Sequence, residues 1–267
     1  MAAKSSLMLY TLRALGLAVS FAAALPAAAF AQSRLGVDGT EFVLTLDDGR
    51  TLRSAALKGA TLKTTIKAMA GGGDVTIQSV EEDTLAVGGR VWLHQFVTLT
   101  PDGKAADLCL PDAEGRSLGF PVPDGHGGFN LTCTSGAIGK CIRWGYRPWE
   151  VVPGGPPLKA LHQACVHMVR ADYGGDGGTS TRDGTLIYFC DRFGIRPCTV
   201  DAPLRFEAGW GERGATCVAR PRVPDLVSLD AIGRRHPRLR GNLGPAACTH
   251  ENAMRDTAAL LFNHSHD

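Results

Sequence analysis

Eight cysteines constrain this chain more than any other feature. Cys109, Cys133, Cys141, Cys165, Cys190, Cys198, Cys217 and Cys248 all follow residue 108 of a 267-residue sequence. Their number is even, no two stand as C-x-x-C, and no H-x-x-x-H pair accompanies them, so the spacing of a structural zinc site is absent. Such a set becomes a disulfide framework where thiols oxidise and stays reduced in the cytoplasm. Which of about 105 pairings forms is left open. The reading therefore turns on export, and the first residues point to it. Lys4 and Arg13 precede an apolar stretch from Ala14 to Phe30, which closes on Ala29-Phe30-Ala31 before Gln32. That is the pattern of a signal peptide, residues 1–31, cleaved after Ala31. The stretch is short of the roughly 20 apolar residues of a spanning helix, and Pro26 would interrupt one. The expected product is periplasmic or secreted, with no transmembrane segment after cleavage.

The remaining chain is long enough to bury a core as one domain or two small ones. Its net charge of +2 points to no partner. Locally, Arg220, Arg222, Arg234, Arg235, Arg238 and Arg240 outnumber Asp225 and Asp230, giving a basic, partly irregular C-terminal segment, 220–267, that could meet an envelope polyanion. Nucleic acid is disfavoured, because no aromatic residues are interleaved with the arginines. Residues 32–110 read as a small antiparallel β unit. Phe42 to Leu46, Thr51 to Arg53, Thr61 to Ile66, Val75 to Val80 and Val91 to Leu99 are strands, and Lys58, Lys63 and Lys67 are solvent-facing. Pro111 to Gly128, rich in Gly, Pro and Asp, reads as a long surface connection and a soft boundary. Leu158 to Tyr173 has helical spacing between Pro156-Pro157 and Gly174-Gly175. Short strands are expected at Leu186 to Cys190, Leu204 to Phe206 and Thr216 to Ala219, with a short helix at Met254 to Phe262 and a loose tail. The fold class is α+β, mainly β: an N-terminal antiparallel unit followed by a disulfide-braced half with one clear helix.

Several blocks of the second half are compositionally unusual: Cys133-Thr-Ser-Gly-Ala-Ile-Gly-Lys-Cys141, Trp144-Gly-Tyr-Arg-Pro-Trp149, His162-Gln-Ala-Cys165, Arg170-Ala-Asp-Tyr173, Thr181-Arg-Asp-Gly-Thr185 and Phe206-Glu-Ala-Gly-Trp-Gly211. In this order they resemble the ADYC domain family, named for an Ala-Asp-Tyr-Cys motif, over roughly Cys109 to Ala219, so that 111–219 reads as an ADYC-like domain. Gly174 stands where the name-giving cysteine would be. The bridge made there in relatives cannot form, and Cys190 or Cys198 is expected to take up the orphaned partner, because the strand after the helix could bring either near. The resemblance implies an exported bacterial protein of a family of uncharacterised function, and carries over no catalytic residue.

The residues themselves offer few constellations. Asp172, Asp176, Ser180 and Asp183 stand at positions one, five, nine and twelve of a calcium-loop spacing, with Gly177 at the sixth. Gly174 at the third and Asp in place of a longer Glu at the twelfth weaken it, and a helix cap followed by an Asp-Gly turn is the competing reading. Calcium is the only cofactor the sequence suggests. His162 could act as a general base oriented by Asp172 or Asp183. His167 lies roughly 140° further around the helix, so the two histidines share no metal. His264 and His266 are tail residues able to bind metal adventitiously. No nucleophile elbow is present, and Gly136 to Lys140 departs from a phosphate loop. Trp144, Tyr146 and Trp149, flanked by Arg143 and Arg147, form a candidate surface for a glycan or peptide, or else pack as core with Trp210. Asn130-Leu-Thr132 and Asn263-His-Ser265 match a glycosylation pattern without weight. The expected function is an exported, disulfide-stabilised binding or structural module; the alternative is an extracytoplasmic hydrolase built on the His/Asp cluster, with or without calcium.

Overall fold

Glycine-bearing turns set the first sheet. In the computed structural model, which describes residues 33–64, 73–100, 102–199 and 204–266, β1 (Arg34–Asp38) and β2 (Glu41–Thr45) are joined through Gly39 at φ 59°. A left-handed residue in a two-residue loop gives the twist that antiparallel strands need. β3 (Thr51–Arg53) follows Asp48-Gly49 and completes a three-stranded sheet in the order β1-β2-β3. The segment read as a signal peptide, and Lys67, lie outside the described residues.

The second sheet comprises β4 (Thr61–Thr64), β5 (Gly73–Glu82), β6 (Trp92–Leu99), β7 (Ala105–Asp107), β8 (Gly119–Pro123) and β9 (Phe129–Cys133). Its order is β4-β5-β6-β8-β9, with β7 pairing β6, and all pairings are antiparallel. Phe42 of the first sheet packs edge-on against Phe96 and Phe129, and Val75 and Ile77 complete this core. Leu93, Leu118, Phe120 and Ile142 fill a second.

The segment read as a surface connection thus contains a buried strand. Its prolines obscured it. β8 meets β6 at the single pair His94↔Gly119, and Pro121 and Pro123 pair on the β9 side. A strand with one largely unpaired edge tolerates residues that lack an N–H. Gly119 is required by close approach, since a Cβ there would lie 2.4 Å from the Thr132 carbonyl oxygen. The sheet runs through the expected boundary at residue 110, and residues 32–267 cluster as one compact unit.

Two helices lead into the third sheet. α1 (Ala137–Arg143) is bridged to α2 (Leu158–Arg170) by Cys141–Cys165. β10 (Ile187–Asp191), β11 (Arg205–Gly211) and β12 (Gly214–Val218) follow, then α3 (Leu229–Arg235), α4 (His250–Arg255) and β13 (Leu261–Ser265). The sheet order is β10-β13-β11-β12. Leu161, Cys165 and Met168 of α2 join Tyr146, Trp210 and Leu261 in the largest core. The C-terminus therefore departs from expectation: α4 ends at Arg255, and β13, all five residues buried, lies between β10 and β11. With both faces covered, Leu-Phe-Asn-His-Ser shows no alternation of apolar and polar residues from which a strand could be read.

All eight cysteines are paired: Cys109–Cys133, Cys141–Cys165, Cys190–Cys198 and Cys217–Cys248. Cys190 and Cys198 bond to each other, so neither takes up a partner from elsewhere. On a chain-entropy account the 8-residue separation of Cys190–Cys198 is worth about 2.5 kcal/mol and the 31-residue separation of Cys217–Cys248 about 3.7 kcal/mol.

Candidate functional site

The end of α2 organises the most polar region of the molecule. Ala171 adopts a left-handed conformation, φ 50°, and closes the helix with amide bonds from Ala171 to Met168 O and from Asp172 to His167 O. This is a helix C-cap of the left-handed kind. It turns the next two side chains in different directions. Asp172 is buried and folds back: Oδ1 accepts from the amides of Gly175 and Asp176, and Oδ2 from the amide of Gly177. His167 Nδ1 lies 2.9 Å from the same Oδ2. Burial raises the Asp172 pKa, but the amides of Gly177 and Gly175 and the His167 contact outweigh it and hold the carboxyl below its ordinary value.

Tyr173 points inward instead. Its hydroxyl donates to Glu207 Oε1 at 3.0 Å and accepts from the Arg222 amide at 2.7 Å. Burial, followed by the Glu207 charge, pushes its pKa well up. Glu207 and Arg222 are almost wholly inaccessible, with side chains 0% and 1% exposed. A buried ion pair is costly unless every remaining proton and lone pair is satisfied, and here each is. Arg222 Nε and Nη2 bind the two carboxylate oxygens, Nη2 also reaches Met168 O, and Nη1 reaches Val169 O and Thr181 Oγ1. Asn263 Nδ2 donates to Glu207 Oε2 while its Oδ1 accepts from Trp210 Nε1. One network thus joins the α2 C-terminus to β11 and β13.

Outside this network, a cavity of about 200 Å³ lies between the signature turn and α3, lined by Asp172, Asp176, Ser180, Arg235 and His236 among others. His236 covers Gly174: a Cβ on Gly174 would lie 2.1 Å from the imidazole Cε1. The imidazole occupies the space a cysteine side chain would need. A second depression, about 340 Å³, is lined by Asn242, Asn252, Arg255 and Asp256 beside Cys217.

The sequence-predicted residues are distributed unevenly around this site. Asp172, Asp176 and Ser180 line the cavity, whereas Asp183 is exposed on the following turn. Asp172 spends both oxygens on N–H donors, the arrangement of a cap and turn rather than of a cation shell. His162 lies within the core face of α2, and burial, partly opposed by a hydrogen bond that the ring donates to the Ile138 backbone, lowers its pKa to about 4. Its expected orienting carboxylate, Asp172, contacts His167 instead, because the left-handed cap at Ala171 folds Asp172 back over the last turn of α2, where His167 stands five positions earlier. Tyr146 is fully buried, donating to Asp191 Oδ2, and does not form a surface. Trp144 and Trp149 are half-buried; Trp144 packs on Phe189, and Arg196 stacks on both rings. The flanking arginines are internal too. Arg143 pairs with Asp83, and Arg147 donates to the carbonyls of Val87, Gly88 and Gly89. Within the basic C-terminal run Arg222 is buried as above and Arg220 is half-buried on the carbonyls of Ser265 and His266, whereas Arg234, Arg235, Arg240 and Arg238, the last bonded to the carbonyls of Tyr173, Gly174, Arg213 and Ala215, are exposed. Arg234 pairs with Asp230 and Arg235 borders the cavity. His264 is buried in β13, not in a tail, and only His266 is exposed.

Sequence reading missed two features. Ser54 Oγ lies 2.8 Å from His94 Nε2, but both residues are 0% exposed and the hydroxyl also accepts from the Phe42 amide, so no substrate reaches it. Forty residues separate the pair and no motif marks it. The Glu207–Arg222 pair was legible only as Glu inside an otherwise apolar strand.

The ADYC domain model matches residues 54–224, well over half of the chain. The chain belongs to the ADYC domain family. The match begins in the N-terminal β unit, so the ADYC region takes in the whole second sheet and the disulfide-braced half as far as residue 224. No curated protein and no solved structure matches. Of the two cavities, that of about 200 Å³ is walled by the ADYC signature itself, Ala171 to Gly174, whereas the other is lined by residues beyond 224 except for Cys217.

Proposed function

We propose that this ADYC protein is exported by way of residues 1–31, is stapled outside the cytoplasm, and serves as a binding module rather than as a catalyst. Four bridges and no free thiol among the described residues fit an oxidising compartment, and no described helix is long and apolar enough to cross a membrane.

One observation carries the binding reading: the signature spends its reactive groups on internal bonds and leaves a small polar cavity beside them. His167–Asp172 and Tyr173–Glu207–Arg222 are saturated, and His162 is buried away from any orienting carboxylate. The cavity volume of about 200 Å³ is below the roughly 300–1,000 Å³ of sites that enclose a drug-sized ligand. It suits the end group of a larger molecule. Arg235 and His236 line it together with Asp176 and Ser180, a mixture of donors and acceptors that matches the hydroxyls of a glycan or the end of a peptide better than a polyanion.

Titration calorimetry with oligosaccharides, short peptides and heparin as separate probes tests this. Binding of a saccharide or peptide that weakens in Arg235→Ala and Asp176→Asn supports the reading. Turnover of an ester, glycoside or peptide substrate that disappears in His162→Gln would establish the hydrolase instead.

A further inference from the structure

The bridge that closes the loop after β10 stands beside an idle imidazole. The sulfurs of Cys190 and Cys198 and one ring nitrogen of His250 all lie within 4.8 Å of one another, the only such grouping of His, Cys, Asp and Glu among the described residues. His250 Nδ1 is buried without a hydrogen-bond partner, and so is Nδ1 of His264. The two rings are stacked with centroids 5.3 Å apart. Buried polar atoms are normally satisfied, and two cysteines with one or two histidines are a donor set of four-coordinate zinc.

In the oxidised protein the sulfurs are occupied by each other. Three observations make this bridge the one to open. It spans 8 residues, against 24, 24 and 31 for the others, so it restricts the unfolded chain least. Cys198 lies at the surface, where a reductant reaches it, whereas Cys141 and Cys165 are fully buried. The loop also keeps its shape by other means. The Asp191 carboxylate accepts from the amides of Phe193, Ile195 and Arg196 and from the Tyr146 hydroxyl, and the Tyr188 hydroxyl donates to Pro197 O. Cys198 therefore remains beside Cys190 when the bond between them is gone.

We propose that Cys190, Cys198 and His250 form a redox-gated site for a zinc-type divalent cation, closed in the oxidised protein and opened by a dithiol reductant. The dithiol delivers two electrons and two protons to the Cys190–Cys198 bond, leaves two thiols, and becomes a disulfide itself. The cation then displaces those two protons to solvent and is held by two thiolates and the neutral imidazole. Its fourth position is left to water or to His264.

The test uses the full mature chain, titrated with dithiothreitol, mapped by alkylation to show which bridge has opened, and then given cobalt(II) as the spectroscopic probe. The expected result is that Cys190–Cys198 opens first and that one cobalt per chain then binds with a thiolate-to-cobalt charge-transfer band. That band is absent before reduction, lost on adding zinc, and lost in His250→Ala. The proposal is overturned if another bridge opens first, if the selectively reduced and still folded protein shows no band, or if His250→Ala keeps it. Should His250→Ala fail to fold, the double variant Cys190→Ser/Cys198→Ser decides, since a cobalt–thiolate band there places the metal elsewhere.

Discussion

Single residues at the end of α2 do unequal work, and their differences can be measured. Among the described residues Glu207 is the acid paired with the buried Arg222 guanidinium, and it also receives Tyr173 and Asn263. Glu207→Ala leaves an uncompensated buried charge, which costs about 3–5 kcal/mol; urea unfolding is expected to show a loss of that size. Gly174 is the family position where this chain departs, and the structure gives the reason: the His236 ring fills the space. Gly174→Cys is therefore expected to lower stability by about 1–3 kcal/mol through overpacking, and His236→Ala in the same chain to recover most of it. Equal loss with and without His236 would show that the two positions are not coupled. Buried histidines set the pH response. Burial lowers the pKa of His94 and of His162 from 6.5 to about 4, so the folded state keeps them neutral. The unfolded chain then binds more protons between those values, and the stability they contribute is complete above pH 6.5 and is lost as pH falls toward 4. Tm is expected to decline through that window, and a Tm unchanged down to pH 4 would contradict the assignment.

At the scale of elements, periodicity and turn chemistry made α2 and the strands β2 to β6 legible. Each of those elements has one covered face and a punctuated end, as with Val75 and Ile77 in β5 or Pro157 before Leu158. What escaped were elements whose neighbours, not their own pattern, define them. β8 carries two prolines because one of its edges is nearly unpaired, and β13 reads as irregular because both its faces are buried. The candidate site was legible in part for the same reason. Asp172 and Asp176 were found by spacing, whereas His236 and Arg235 arrive from α3, far along the chain, and no local signal announces them. The central place of β13 gives a direct expectation. Deleting residues 261–267 removes the strand between β10 and β11, together with Asn263 of the buried network, and is expected to abolish cooperative unfolding. A cooperative transition retained in the truncated chain would mean that β13 is an accessory strand.

For the molecule as a whole, the bridges and the buried network divide the labour. Cys109–Cys133 fixes the second sheet, Cys141–Cys165 the helix pair, and Cys217–Cys248 ties β12 to the segment before α4, while Glu207 and Arg222 lock α2 to the third sheet. Beside that frame, the cavity between Ala171 to Gly174 and α3 is the site that the proposed binding function uses. The arrangement depends on oxidation, so the most direct measurement is peptide mapping under non-reducing conditions of protein recovered from outside the cytoplasm, with free thiols alkylated before digestion. The account predicts Cys109–Cys133, Cys141–Cys165, Cys190–Cys198 and Cys217–Cys248 with no alkylated cysteine. A different pairing, or an alkylated cysteine in protein never exposed to reductant, would contradict the disulfide-braced scaffold on which the rest is built.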